Sequence, residues 1–361
     1  MRFSIQTNQT HILNKLNRMT NMAYRGGYNN CLNLFRLIAS IQVMVGHMAH
    51  HLSLYVPKFI VWPLNIFYGV PIFFILSGFL IWNSIDRSSD WKVYFNKRIL
   101  RLYPELWVCL FFELLSIVVF YNEKVSIIDF SVFAFCQGSI FQFYTPDVFR
   151  GYGCGTPNGS LWTITVIVQF YLFIFFIKKH LKRLSFKGWT VILISSIIIG
   201  LLLPFIKPQF PEILGKLISQ TLIPYFWLFF IGVYIQNFKE SIINIITSYW
   251  YCFLIINILI YIVGIDLYAT YPVFRCISLA CFMFGFAYKY PQFNIRLDVS
   301  YGIYIYHMIF VNIAIQLGFI GNWTIAGCVL ISTCVFAYLS TTVVGGFSKK
   351  QKEKISRVKT L

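Results

Sequence analysis

Charged residues are scarce in this chain. Only 12% of its 361 residues are Asp, Glu, Lys or Arg, whereas 58% are hydrophobic. An ordinary soluble domain carries roughly 25% charged residues. Apolar runs recur from position 31 nearly to the end of the chain, and each is about 20 residues long, enough to cross a bilayer as a helix. The composition excludes an ordinary soluble fold and predicts an all-α integral membrane protein.

Acidic residues are the scarcest charged type. The sequence has 12 Asp and Glu against 30 Lys and Arg, a formal net charge of +18, and such an excess has two explanations. It can mark a protein that binds nucleic acid, or it can orient membrane spans, because short cytoplasmic loops collect Lys and Arg. The position of the basic residues along the chain separates the two.

Ten apolar segments can be placed along the sequence, and an even number puts both termini on one side of the membrane. They cover residues 31–50, 59–82, 102–121, 160–177, 189–206, 217–236, 246–264, 272–288, 299–318 and 323–346. The side that holds both termini receives 23 of the 30 basic residues, the opposite side receives five, and two lie within segments. This asymmetry predicts about ten transmembrane helices with both termini cytoplasmic. Because membrane orientation explains the excess of basic residues, we expect no nucleic-acid partner.

Paired cysteine motifs are missing. The nine cysteines are scattered and include no C-x-x-C pair, which argues against a disulfide framework and a zinc site, so no metal is expected.

The first 30 residues are polar, and the first apolar run lies too deep for a cleavable signal peptide, so we interpret it as a retained span. We therefore expect an N-terminal cytoplasmic segment at 1–30, a transmembrane domain at 31–346 and a basic cytoplasmic tail at 347–361.

The longest stretch between predicted spans covers residues 122–159. It contains Gly151, Gly153 and Gly155 and falls on the side opposite the termini. Its small residues are typical of a loop that covers or admits a substrate at that face.

Two ionisable residues lie inside the first span, where a charge is costly and indicates function by default. Arg36 and His47 are eleven residues apart, which turns a helix through about 1100°, so both side chains point the same way with a rise of about 16 Å. Arg36 is either an interface anchor or part of a polar path, and His47 is either a buried histidine satisfied by a neighbouring helix or a proton acceptor. His51 continues the same face.

A basic loop precedes the third span. If it is helical, Arg98 and Arg101 at i and i+3 share a face and match phosphate oxygens. The simpler explanation is that they anchor the loop on the cytoplasmic side.

Five motifs in order resemble the acyltransferase-3 family of multipass membrane O-acyltransferases, over roughly residues 31–310. They are the Arg36-x10-His47 spacing, the run Gly69-Val-Pro-Ile-Phe-Phe-Ile-Leu-Ser77-Gly78-Phe79, the Arg98-x-x-Arg101-x-x-Pro104 loop, Ser160-Leu-Trp162 with Gln169-Phe170-Tyr171, and Ser300-Tyr301-x-x-Tyr304-x-Tyr306-His307.

The resemblance implies transfer of an acyl group, most often acetyl from cytoplasmic acetyl-CoA, to a hydroxyl of a cell-surface glycan or its lipid-linked precursor at a bacterial plasma membrane. Membrane lipid, acyl-CoA and the glycan are then the partners, with no resident cofactor. His47 becomes the catalytic histidine, as general base or as covalent acyl carrier. Arg36 acts with it, and Arg98 and Arg101 match positions associated with the donor. Tunnel or acceptor-side positions are expected at Ser77, Trp162, Tyr171, Tyr304 and His307.

One position departs from the family pattern. The fourth-span motif often carries a Glu where this chain has Ile167, and a missing carboxylate would affect how a histidine is oriented. Glu105 and Glu113 are the nearest alternatives along the sequence.

Two other functions stay open. In a transporter or glycan flippase, Arg36, His47 and His307 would line a proton or substrate path, and an inactive family member would explain Ile167. His307 itself either faces the acceptor path or makes an interhelical hydrogen bond.

Overall fold

The computed structural model describes residues 30–85 and 90–357, and this part of the chain contains fourteen α-helices and no β-strand. The helices are α1 (Leu32–His51), α2 (Lys58–Ile66), α3 (Gly69–Ile85), α4 (Trp91–Phe120), α5 (Ile127–Gln137), α6 (Trp162–Leu181), α7 (Phe186–Ile206), α8 (Glu212–Ile218), α9 (Phe226–Asn237), α10 (Lys239–Ser248), α11 (Trp250–Val263), α12 (Val273–Lys289), α13 (Ser300–Gln316) and α14 (Trp323–Arg357). The all-α prediction is confirmed for these residues.

Among the described residues, six helical segments are long and apolar enough to cross a membrane. The number is eight if each of two bent helix pairs forms one span. The pairs are bent by 47° at the α8–α9 break and by 74° at the α10–α11 break. Each of the ten predicted segments overlaps one helix or two consecutive helices, but α12 and α13, with 17 residues each, are shorter than the qualifying spans. The count of ten and the cytoplasmic position of both termini therefore stay predictions.

The structure bears on two of the predicted segment boundaries in different ways. The N-terminal segment, except Asn30, lies outside the described residues, while α14 continues beyond the predicted end at 346 as far as Arg357. The stretch 122–159, which we expected to be a loop, contains the eleven-residue helix α5, because Ser126 caps an apolar run through a hydrogen bond to the Asp129 backbone N–H.

The α3 helix is apolar all round and lies at the centre of the bundle, in contact with α1, α6, α9 and α12. Its crossing with α9 depends on two glycines. A Cβ atom at Gly78 would lie 2.0 Å from the Phe229 carbonyl oxygen, and one at Gly232 would lie 1.9 Å from the Ile75 carbonyl oxygen. Only glycine permits this approach of the two backbones, as at close helix crossings in membranes.

The second central element, α13, packs against α1, α4 and α14. Gly302 lets it approach α14, because a Cβ there would lie 2.8 Å from the Ala337 Cα. This packing places the polar face of α1 directly beside α13. The same packing brings His47 on α1 next to His307 on α13.

The glycine-rich segment after α5 is fastened to α13 by one buried amide. Asn312 accepts a hydrogen bond from the Cys154 backbone N–H at 2.8 Å and donates to the Thr156 and Pro157 carbonyls at 3.1 and 2.6 Å. Gly153 has a φ of +57°, and a Cβ there would lie 2.2 Å from the Asn312 side-chain oxygen. Glycine therefore meets both a conformational and a steric requirement at this position.

Candidate functional site

Two histidines meet where α1 packs on α13. The Nδ1 atom of His47 lies 2.9 Å from the Nε2 atom of His307, although the residues are 260 positions apart in the sequence. The His307 side chain is fully buried, whereas His47 is partly exposed. The interhelical hydrogen bond that was one of two interpretations of His307 is present, and its partner is the candidate catalytic histidine.

The direction of this hydrogen bond follows from the next contact. His307 Nδ1 lies 3.1 Å from the Ile303 carbonyl oxygen, which can only accept. In the neutral ring the proton must therefore be on Nδ1, and His307 Nε2 is an acceptor. The Nδ1–H of His47 donates to it, which leaves the lone pair of His47 Nε2 free to take a proton or to attack an electrophile.

At one end of the bundle, Arg36 forms an ion pair with Asp298, the residue two positions before α13. The Arg36 Nη1 to Asp298 Oδ2 distance is 2.9 Å, and the side chains are 15% and 28% exposed. The other Asp298 oxygen accepts from the backbone N–H and the hydroxyl of Ser300. We call this end, which holds Arg36, Arg101 and Asp298, the arginine end.

The ion pair controls the charge of Asp298. Burial alone would raise the pKa of this carboxyl, but the Arg36 guanidinium, the Ser300 hydroxyl and the nearby Arg101 outweigh burial and hold the pKa below its usual value. Asp298 is therefore ionised at neutral pH and neutralises part of the positive charge there.

A cavity of about 420 Å³ opens at the arginine end. It brings together five of the residues that the sequence singled out, namely Arg36, Ser77, Arg101, Tyr171 and Tyr304. Two cations, the carboxyl groups of Asp298 and Glu105, and several hydroxyls thus face one space among apolar walls. This arrangement suits a polar ligand whose anionic part lies near Arg101.

Tyr304 lies between this cavity and the histidine pair. It lines the cavity, and its ring centre is 6.3 Å from that of His307. The Tyr304 hydroxyl donates to the Ser160 carbonyl at 2.8 Å and lies 2.8 Å from the Thr163 hydroxyl. Neither histidine is part of the cavity lining, and Tyr304 is a lining residue that neighbours His307.

Residues 29–342 match the sequence profile of an acyltransferase domain, that of acyltransferase-3. The chain belongs to the acyltransferase-3 family. The motif-based expectation of this family is confirmed, and with it the class of enzyme.

Named relatives agree with this assignment. Nodulation protein 10 of Rhizobium leguminosarum bv. viciae is 29% identical over 347 residues, which cover 89% of this chain and 93% of that protein. An O-acetyl transferase of Shigella phage Sf6 is 26% identical over 77% of this chain and 83% of its own length. The peptidoglycan O-acetyltransferase OatA of Listeria monocytogenes is 28% identical over 41% of this chain and 24% of its own length. No solved structure matches.

Besides the two histidines, two predicted site residues of this acyltransferase, Arg98 and Trp162, lie outside the cavity lining. The Arg98 guanidinium donates to the Ser84 hydroxyl and lies 4.9 and 5.8 Å from the ring centres of Tyr94 and Tyr171. It lines a separate, mostly apolar crevice of about 350 Å³. Arg98 and Arg101 therefore do not face one common pocket, although Tyr171 borders both spaces.

Trp162 is the second of these residues. Its ring centre lies 5.1 Å from that of Tyr225 and 6.2 Å from that of Phe74, within an aromatic cluster beside the cavity. In this structure Trp162 supports the start of α6 rather than lining the ligand space.

The position that departs from the family pattern, Ile167, faces the cavity. Of the two alternative carboxylates, Glu105 on α4 lines the same cavity, while Glu113 is fully buried and lies outside its lining. The cavity of this acyltransferase therefore keeps a carboxyl group, supplied by a different helix.

Among the described residues, no cluster of three or more His, Cys, Asp or Glu side chains is arranged to bind a metal ion.

Proposed function

We propose that this protein is an integral O-acetyltransferase of a bacterial plasma membrane. It moves an acetyl group from cytoplasmic acetyl-CoA to a hydroxyl of a cell-surface polysaccharide or its lipid-linked precursor. The observation that carries the proposal is the free Nε2 of His47, a nitrogen whose availability is set by the contacts of His307. Relatives named O-acetyltransferase and peptidoglycan O-acetyltransferase support the reaction and the acceptor class.

The arginine end suits the donor. CoA carries phosphates on its nucleotide part, and guanidinium groups bind phosphate through paired hydrogen bonds. Arg101 is exposed and faces the cavity, while Arg36 is held by Asp298 and keeps further N–H groups for a ligand. In this proposal the arginine end is cytoplasmic, in agreement with the excess of basic residues in the loops on the side of the termini.

The donor arm then extends from the cavity past Tyr304 toward His47. Arg36 and His47 are eleven residues apart on α1, a rise of about 16 Å, which an extended pantetheine arm spans. The thioester carbonyl would lie next to Nε2, with the acceptor hydroxyl approaching from the opposite end of the bundle.

Two routes use the same nitrogen. In the direct route, Nε2 takes the proton of the acceptor hydroxyl as its oxygen attacks the thioester carbonyl, and the departing thiolate of CoA then receives that proton. In the covalent route, Nε2 attacks the thioester carbonyl and expels CoA as a thiolate, so that His47 carries the acetyl group. The acceptor hydroxyl then attacks this acetyl group, Nε2 leaves, and the proton of the hydroxyl passes to the CoA thiolate. Both routes require His47 Nε2 to be unprotonated, the state that the hydrogen bond with His307 selects.

The test is the content of acetyl esters in the surface polysaccharide of cells that lack the protein and of cells that express it, His47→Ala or His50→Ala. His50 is the matched control because it is exposed and lies on the same helix. We expect esters with the parent and His50→Ala, and none with His47→Ala. Unchanged acetylation in cells that lack the protein would contradict the proposal. Changed polysaccharide export with the same acetate per repeat unit would instead indicate transport.

A further inference from the structure

The exposed surface of His47 does not belong to the cavity at the arginine end. His47 is partly exposed, although it lies within a helix of bilayer length, and it is not part of the lining of that cavity. The exposed part of His47 therefore opens onto a second space. This space begins about 16 Å along α1 from Arg36, toward the end of the bundle from which the acceptor approaches.

The start of α3 bounds this second space. The first residue of α3, Gly69, packs so closely on α1 that a Cβ there would lie 2.6 Å from a Val43 methyl carbon and 2.7 Å from the Gln42 side-chain oxygen. Gly46 lies one helical turn after Gln42 and points the same way, and His47 bears the same relation to Val43. Gly46 and His47 therefore point beyond the first turn of α3.

The preceding helix does not fill the space. The helix α2 ends before residues 67–68, packs against α11 and has no buried side chain. It is joined to α1 at its last turn, where the Gln42 amide donates to the Leu64 carbonyl at 3.1 Å. A Cβ at Gly46 would have no described atom of another element within 4 Å. We call the space beside Gly46 and His47, beyond the start of α3, the histidine opening.

Packing does not explain the glycine at position 46. Glycine destabilises a helix interior relative to alanine, and Gly78, Gly232 and Gly302 offset that cost because each permits a close helix crossing. Gly46 permits no such crossing. It lies in the interior of α1 and directly precedes the candidate catalytic histidine. A side chain at position 46 would project into the histidine opening, so its absence keeps this space free.

The histidine opening suits the acceptor rather than the donor. The residues that define it carry no guanidinium or ammonium group, whereas Arg36 and Arg101 at the arginine end can bind the phosphates of CoA. An acceptor hydroxyl needs a path that ends at the nitrogen that receives its proton. A sugar ring is wider than an extended pantetheine arm, so it needs the room that a glycine leaves.

We propose that the acceptor glycan reaches His47 through the histidine opening and that Gly46 admits it because it has no side chain. This inference rests on the proposed function, because it takes a glycan hydroxyl as the second substrate. Gly46 is then a specificity-determining residue that limits the width of the acceptor. It takes no part in donor binding or in proton transfer.

The experiment measures transfer of radiolabelled acetyl from acetyl-CoA in isolated membranes, with increasing amounts of glycan extracted from cells that lack the protein as the acceptor probe. We expect Gly46→Leu to lower kcat/KM for the glycan about tenfold or more, because excess bulk at a substrate site has an effect of this size. The KM for acetyl-CoA should change less than about twofold, because donor binding is not involved. Gly46→Ala should lose less than Gly46→Leu.

The matched control is Gly327→Leu. A Cβ at Gly327 also has nothing within 4 Å, but this residue lies on α14 and not on a helix that carries either histidine. We expect Gly327→Leu to keep the kcat/KM of the parent for the glycan.

Thermal unfolding separates obstruction of the acceptor from damage to the fold. Ala and Leu favour a helix more than Gly does, so both Gly46 variants should unfold at or above the temperature of the parent. A lower unfolding temperature of both variants would show that position 46 is packed and would overturn the inference. An unchanged kcat/KM of Gly46→Leu, which would leave the opening to a lipid chain, would also overturn it. So would an equal loss for acetyl-CoA, which would assign the opening to the donor.

Failure of the proposed function gives a different result. If membranes with the parent protein transfer no acetyl group to the extracted glycan, the proposed function fails, and this inference fails with it. If the parent and Gly327→Leu are active and Gly46→Leu matches them, only the assignment of Gly46 fails.

Discussion

The hydrogen bond between His47 and His307 has one direction, because the Ile303 carbonyl oxygen lies 3.1 Å from the far nitrogen of His307 and can only accept. This contact leaves the Nε2 atom of His47 outside the hydrogen bond of the pair, and in the proposed mechanism this is the reactive nitrogen. His307 is therefore a positioning residue for His47, and the two histidines should respond differently to substitution.

The first prediction concerns His307. Replacement by Ala removes the acceptor for His47 Nδ1–H, so the tautomer and ring orientation of His47 are no longer fixed. We expect the acetyl-transfer rate of His307→Ala to fall about 10–100-fold. The loss for His47→Ala should be larger, about 10²–10⁴-fold. His307→Gln, which supplies an acceptor oxygen, should recover part of the rate. Initial rates in isolated membranes at saturating acetyl-CoA measure this.

The affinity for CoA is the control for these variants. Because His307 lies outside the cavity lining, CoA should bind His307→Ala as it binds the parent. Full activity of His307→Ala would refute the role of the histidine pair. Equal activity of His307→Gln and His307→Ala would show that a hydrogen-bond acceptor at position 307 does not matter.

The second prediction separates the three arginines. Arg36 and Arg101 line the cavity, whereas Arg98 contacts Ser84 and lines a different crevice. We expect Arg36→Gln and Arg101→Gln each to weaken CoA binding about tenfold, the effect of losing one hydrogen bond to a charged group. Arg98→Gln should change it less than about threefold. A loss for Arg98→Gln equal to that for Arg101→Gln would show that the two act on one phosphate site.

The third prediction is a pH dependence of stability set by Asp298. Its folded-state pKa is held below the unfolded value of roughly 3.9, so the ionised carboxyl stabilises the fold above that value and its contribution is lost as the pH falls through the folded-state pKa. Asp298→Asn should lower the free energy of unfolding by about 2 kcal/mol at neutral pH.

Thermal unfolding in detergent from pH 7 to pH 3 measures this difference. The difference in stability between the parent and Asp298→Asn should be constant down to about pH 5 and should narrow as the pH falls below about 4. A gap that persists unchanged at pH 3, or no gap at pH 7, would contradict the ion pair as a source of stability.

The fourth prediction concerns the crossing of α3 and α9. Gly232→Ala places a methyl group 1.9 Å from the Ile75 carbonyl oxygen, so the backbones must separate. We expect the free energy of unfolding to fall by about 3 kcal/mol, the upper end of the usual cost of overpacking. Gly327→Ala is the control, because nothing lies within 4 Å of a Cβ there. Folded yield and thermal unfolding of both variants report the difference. Equal stability of the two would show that the crossing tolerates a wider separation.

The helices could be predicted from the sequence because they rest on local chemistry. An apolar run of bilayer length must form a helix, and an ionisable residue within such a run, here His47, stands out as a candidate for function. The helix α5 escaped prediction because it is too short to span a bilayer and lies among turn residues.

The partners of the site residues could not be predicted because they lie far apart in the sequence. Nothing local indicates that His307 meets His47, or that Asp298 meets Arg36 across 262 positions. The choice between Glu105 and Glu113 likewise depends on which side of α4 faces the cavity.

Arg98 and Arg101 show the limit of spacing arguments. Residues three apart on a helix differ by about 60° in direction. This difference is enough for one to face the cavity and the other to face Ser84.

The measurement that tests the central claim most directly is transfer of radiolabelled acetyl from acetyl-CoA to surface polysaccharide in membranes that contain the parent protein, His47→Ala or His50→Ala at equal protein levels. The account predicts labelled polysaccharide with the parent and His50→Ala and none above background with His47→Ala. Labelling by His47→Ala at the rate of the parent would contradict it.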